Sequence, residues 1–158
     1  MKWGSEEWMT ERDELLMRWF NGDREAVAFL MCISRISELW DDLEDKDTVI
    51  TKAQVDDAMF DALINLPCNP FYNKHRGYLT PLLINAINSW QDANMLATGT
   101  RSERALSYTL RNLDIQIIQA IVFITQGYAR LREVSPELWK YFGANQDDID
   151  TWLAGETT

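Results

Sequence analysis

The chain is short of histidine, cysteine and positive charge, and each shortage closes off a class of function. One histidine, His75, occurs in 158 residues. It stands in Asn73-Lys74-His75-Arg76-Gly77, a run without cysteine or a second histidine, which argues against a zinc site. The two cysteines lie in unlike settings, Cys32 inside a helical pattern and Cys68 in Pro67-Cys68-Asn69-Pro70. Two in a chain of this length read as free thiols rather than a disulfide framework. Fifteen Lys plus Arg face 25 Asp plus Glu, a formal charge of −10. Phosphate recognition depends on clustered bases, so neither nucleic acid nor anionic membrane is an expected partner.

Long apolar runs are missing too. The most apolar segment, Ile115 to Ile124, is broken by Gln116 and Gln119 and falls well short of the roughly 20 residues a membrane span needs. The opening residues, Met1-Lys2-Trp3-Gly4-Ser5-Glu6-Glu7, do not read as a secretory leader, and the expected compartment is the cytoplasm. No P-loop, GxSxG elbow or Gly-rich phosphate loop occurs. No run of alternating apolar and polar residues argues for a sheet.

What is present is helical. Hydrophobic residues make up 46% of the chain and aromatics 11%, with seven Trp, enough for one packed core. Ser5 is placed to cap a first helix that Asn21-Gly22 closes, and Asp23 caps a second with Ala26, Phe29, Leu30, Ile33, Ile36, Trp40 and Leu43 on one side. Thr51 and Gln54 form a capping box with an Ile50/Val55 staple, and Val55, Ala58, Met59, Ala62 and Leu66 continue that helix's buried face to Pro67. Asn69-Pro70 opens a short turn to about 75, and Thr80-Pro81 starts a helix over 81–98. Ser102 and Pro136 bracket the longest predicted helix, 103–134, with Leu106, Leu110, Leu113, Ile117, Ile121, Ile124, Tyr128 and Leu131 inward. Ser135-Pro136-Glu137 starts a last short helix ending at Gly143. The expected fold is an all-α, single-domain bundle of about five main helices over residues 1–144, with an acidic tail, 145–158, that docks as one turn or stays loose.

Charge is unevenly placed. Residues 1–47 hold 13 acids against six bases, and the stretch 101–132 holds five Arg against Glu103 and Asp114. The acidic half ends in Asp41-Asp42-Leu43-Glu44-Asp45, which resembles the DDxxD motif with which class I isoprenoid synthases hold magnesium. That resemblance implies a divalent site made by Glu38, Asp41, Asp42 and Asp45, with Mg²⁺ as cofactor and a diphosphate or other phosphorylated ligand. The second metal-binding stretch of those enzymes has partial counterparts only, Asn88 with Asp92 or Asp57 with Asp61, and Lys46 and Lys52 stand where an Arg pair commonly follows. Glu38-Leu39-Trp40-Asp41 also resembles the ExxD stretch of all-α nucleotide pyrophosphohydrolases. At about 100° per residue, Glu38, Asp41 and Asp45 fall within roughly 60° of each other, nearly opposite the stripe through Ile33, Ile36 and Leu43. The same holds for Asp57 and Asp61 on the next predicted helix.

A wider resemblance runs through Ile36 to Asp47, Asn69-Pro70-Phe71-Tyr72, His75, Leu79, Pro81-Leu82-Leu83 and Trp90. These stretches look like small helical proteins of tailed phages, usually labelled hypothetical. The likeness implies a bacterial cytoplasm or a virion as setting and no particular activity. The leading expectation is therefore an acidic, non-enzymatic module that binds another protein or itself. Trp8, Trp19, Trp40 and Trp90 fall on helical core stripes, leaving Trp3, Trp139 and Trp152 as interface candidates.

Overall fold

The computed structural model describes residues 11–46, 48–143 and 146–155. The proposed cap at Ser5, core Trp8 and interface candidate Trp3 lie outside them. Among the described residues there is no strand; the fold is all-α, as the periodicity predicts. The helices are α1 (Glu11–Trp19), α2 (Arg24–Asp45), α3 (Lys52–Phe60), α4 (Leu66–Cys68), α5 (Pro70–Leu96), α6 (Arg101–Arg111), α7 (Ile115–Phe142) and α8 (Gln146–Ala154). A π-helical turn, Asp61–Asn65, joins α3 to α4, and a 3-10 turn, Asn112–Asp114, joins α6 to α7. The chain divides into two compact units, residues 1–76 and 77–158.

In the first unit the helix starts follow local chemistry. Asn21 and Gly22 adopt positive φ and end α1, and the Asp23 carboxylate accepts the Ala26 amide at 2.9 Å. Thr51 and Gln54 form the reciprocal capping box. Asn69 caps α5 by accepting the Tyr72 amide at 2.8 Å, while its own side-chain amide donates to the Glu25 carbonyl at 2.9 Å. This buried asparagine thus ties α5 to the start of α2. The core around it holds Leu16, Trp19, Phe20, Ala26, Phe29 and Phe71, with the Phe29 ring stacked on Tyr72 at 5.4 Å. Two expected core residues of α2 are not in it: Trp40 and Leu43 are exposed.

The expected stop at Pro67 is replaced by a widened turn. Proline's ring collides with the carbonyl four residues back and its nitrogen cannot donate; here that carbonyl is Leu63, inside the π turn, where the Leu66 amide reaches back to the Asp61 carbonyl. The helical path therefore continues through Cys68. A second proline is also accommodated. Pro81 lies within α5 rather than opening a helix, because its fixed φ is itself helical and the missing amide costs one ladder bond. The departure comes earlier, at His75 (φ −113, ψ 15).

The second unit corrects the long helix expected over 103–134. Its start is Thr100, not Ser102: Thr100 and Glu103 form a capping box, the Glu103 carboxylate accepting the Thr100 amide at 2.6 Å. The 3-10 turn at Asn112–Asp114 breaks it once, and Gly127 breaks it again with φ 81 and ψ 176. Gln119 donates to the Ser135 hydroxyl at 2.9 Å, although sixteen residues of straight helix would hold them roughly 24 Å apart. α7 is therefore folded back on itself at Gly127, burying Ile117, Ile118, Ile121 and Val122 on one arm and Val134 and Leu138 on the other. Pro136 lies inside the second arm and starts no helix. Because the breaks shift the helical phase, Leu106 and Tyr128 are exposed instead of buried, and α6 buries Ser107, whose hydroxyl donates to the Ala93 carbonyl at 2.6 Å. The C-terminal turn docks. Arg104 donates to the Leu153 carbonyl from Nε and Nη2, the Trp152 indole N–H donates to the Arg104 carbonyl at 3.0 Å, and the Arg111 guanidinium lies 4.8 Å above the Trp152 ring.

Gly127 and Gly77 offer a controlled pair, because a Cβ at either would meet nothing within 4 Å and only Gly127 has a positive φ. Gly127→Ala is expected to destabilise by about 1–3 kcal/mol. Gly77→Ala, in helical backbone, is expected to be neutral or stabilising by up to ~1 kcal/mol. Urea unfolding of the two variants checks both values.

Candidate functional site

The first unit carries a polar cluster inside and an apolar face outside, on the same short segment. α2 and α3 are joined by residues 46–51, and Arg35, ten residues before the end of α2, meets Asp61, ten residues after Thr51. The two helices are thus antiparallel. Arg35 Nε donates to Asp61 Oδ2 at 2.5 Å and Nη2 to Oδ1 at 2.9 Å, the two-point geometry that suits a guanidinium and a carboxylate. Asn65 donates to Asp61 Oδ1 at 2.7 Å and the Cys32 thiol to the same oxygen at 3.5 Å. Asp61 is 2% exposed.

The electrostatics of this cluster are those of a lock rather than a reacting centre. Burial alone would raise the Asp61 carboxyl, but the hydrogen bonds from Arg35 and Asn65 and the nearby guanidinium charge hold it below its ordinary value. Burial first, and the adjoining Asp61 charge second, push the Cys32 thiol up to about 11. A thiol so placed stays protonated near neutral pH and is a poor nucleophile.

Turning Asp61 inward shifts the face expected of this helix. Ala58 is buried as its spacing predicts, but Asp61, expected opposite the apolar side, is buried beside it, and Val55 and Met59, expected inward, are exposed along with Phe60, Leu63 and Ile64, Leu63 by 64%. In the segment from Ala53 to Leu66 periodicity groups Gln54, Asp57, Asp61 and Asn65 on one polar side and predicts it to face outward. The charge pair turns Asp61 inward instead. Trp40 and Leu43 of α2 add exposed apolar surface on the same helical pair.

The other predicted site residues are scattered. Glu38 is exposed and accepts the Ser34 hydroxyl at 3.1 Å; Asp41 and Asp42 are half-buried, and Asp45 and Asp57 are exposed. Asn88 donates to Asp92 at 3.0 Å on the exposed side of α5, in the second unit. Among the described residues no three His, Cys, Asp or Glu side chains converge as metal ligands. His75 rests its ring on Phe71, 4.9 Å between centroids. Trp139 is 39% exposed, and Trp152 is half-buried against α6. Both cysteines are free thiols. Arg35 escapes the sequence reading, and Cys32 and Asn65 are legible there only as a helical thiol and as a residue spaced by four from Asp61, although a lone arginine between Ile33 and Ile36 is the kind of residue that needs an inward partner. The outward set of Phe60, Leu63 and Ile64 left no such signal.

Comparison with protein-family models, curated proteins and solved structures found no match, so the site is read from its own geometry.

Removing one member of a buried ion pair leaves the other charge uncompensated, whereas replacing both with apolar residues does not. Asp61→Ala is expected to cost about 3 kcal/mol or more, and Arg35→Met/Asp61→Leu much less. The pH dependence has a definite sign. With its folded-state carboxyl below the ordinary 3.8, Asp61 contributes stability that is present above that value and is lost as pH falls through the lower folded value. Urea unfolding from about pH 5 to pH 2 should show a steeper loss in the wild type than in Asp61→Asn.

Proposed function

We propose that the chain is an acidic, non-enzymatic helical module that binds another protein, and that it comes from a tailed phage. The observation that carries the binding role is the outward apolar face of α3 and the π turn, where Met59, Phe60, Leu63 and Ile64 are each between 46% and 64% exposed. Isolated exposed apolar residues are ordinary, but a contiguous set on one helical face marks an interaction surface. The polar groups beneath it support the non-enzymatic part of the reading. Asp61 and Arg35 engage each other in two hydrogen bonds, and Cys32 donates into the same pair. The likeness of Ile36 to Asp47 and of Asn69 to Tyr72 to small phage proteins supports the origin and makes a bacterial cytoplasm or a virion the setting of the partner.

A photo-crosslinking residue at position 63, with the protein expressed in a bacterial host, should give discrete adducts, and one at the exposed Lys74 should not. Met59→Gln/Leu63→Gln/Ile64→Gln is expected to keep its helical circular dichroism and stay within about 0.5 kcal/mol of wild-type stability, as surface changes do. Absence of adducts at 63, or unfolding of the triple variant, would count against the reading.

A further inference from the structure

The partner's chemistry can be narrowed from what surrounds the apolar face. The α2–α3 pair with its π turn, residues 24–65, holds ten Asp and Glu against Arg24, Arg35, Lys46 and Lys52, a net −6 of the chain's −10. Lys52 is engaged by Asp56 one turn on. Glu38, Glu44, Asp45, Asp56 and Asp57 are exposed. The α2–α3 pair thus exposes Trp40, Leu43, Val55, Met59, Phe60, Leu63 and Ile64 together with these five acids, Asp56 and Asp57 on the same helix as Val55, Met59 and Phe60.

Resting on the interaction reading above, we infer that this surface takes an amphipathic helix of a partner protein whose apolar stripe is flanked by Lys and Arg. Apolar contact between helical faces supplies affinity, and opposite charge at the edges supplies orientation and a fast approach. A second copy of this chain is disfavoured by the same charges, because two such faces would bring like-charged rims together. An anionic lipid surface is disfavoured for the same reason.

The test uses the full chain and synthetic peptides of about 18 residues, five helical turns: an amphipathic Leu/Lys helix, its Leu/Glu counterpart, and a scrambled Leu/Lys sequence of equal charge. The Leu/Lys helix should bind, and raising salt from about 0.05 to 0.5 M should weaken it at least tenfold. Leu63→Gln and, separately, Glu44→Gln/Asp56→Asn/Asp57→Asn should each lower its affinity about tenfold or more with circular dichroism unchanged, and the other two peptides should bind far more weakly. Equal binding of the Leu/Glu or scrambled peptide, salt-independent binding, or concentration-dependent dimerisation that blocks the peptide would overturn the inference. Discrete crosslinks at position 63 without Leu/Lys binding would overturn the inference while leaving the interaction module standing; loss of both would remove the two together.

Discussion

The contact between Arg35 and Asp61 sets the orientation of everything that matters in the first unit. Two charges taken out of water gain little net stability even when well paired, because the desolvation cost rivals the attraction. Orientation is another matter. An ionised carboxylate that accepts from Arg35 Nε, Arg35 Nη2, Asn65 and Cys32 has one inward position in which those donors are satisfied, and any other rotation of the helix would leave the half-buried Arg35 guanidinium without its partner. With Asp61 fixed inward, a helix turning about 100° per residue places Leu63 almost opposite it and Phe60 well to one side. Ile64 would lie only about 60° from Asp61 in a regular α-helix. The wider π turn increases that angle, so the backbone irregularity that accommodates Pro67 also helps carry Ile64 outward.

This explains why some of the structure was legible from residues and some was not. Helix starts are local events: Asp23, Thr51 with Gln54, and Asn69 each satisfy backbone donors two or three residues away, so reading the sequence in order finds them. The Thr100–Glu103 box has the same local signature, but Ser102 lies closer to the apolar run and competes with it as a start. Faces are not local. In α3 periodicity groups Val55, Ala58 and Met59, and which edge of that group turns inward rests on Arg35, twenty-six positions before Asp61. Ala58 is buried on either account; the charge pair adds Asp61 to it and leaves Val55 and Met59 exposed.

The second unit makes the same point through the backbone. A helical stripe read from Leu106 to Leu131 assumes that phase is kept for seven turns, and one residue in a non-helical conformation destroys it. Gly127 occupies a region that other residues reach only at a cost of about 1–3 kcal/mol. The sequence around it, Thr125-Gln126-Gly127-Tyr128, contains no proline and no cluster of turn formers to announce a reversal. What stabilises the reversal is the meeting of the two arms, Gln119 with Ser135 and the buried isoleucines with Val134 and Leu138, and that meeting exists only once the turn is made. Trp152 follows from the same logic. Its indole is taken up by Arg104 and Arg111 of α6, partners some forty residues away that no local pattern connects to it.

Charge is the property that sequence and structure describe in the same terms, and it bears most directly on function. A net −10 spread evenly would speak only of solubility. Concentrated on the α2–α3 pair, it accompanies the apolar residues of α3 and the π turn that the Arg35–Asp61 pair turns outward. The DDxxD spelling of the same stretch points toward a cation, yet Glu38, Asp41 and Asp45 need a facing set of ligands to hold one, and Asp61 on the neighbouring segment is committed to Arg35. An acidic rim beside exposed Met, Phe, Leu and Ile has another use that requires no convergence of ligands: it sets which helices can lie on the face and in what orientation. The acids then act through the charge they give the helical pair, and Arg35 with Asp61 is what keeps the apolar residues of α3 and the π turn facing out.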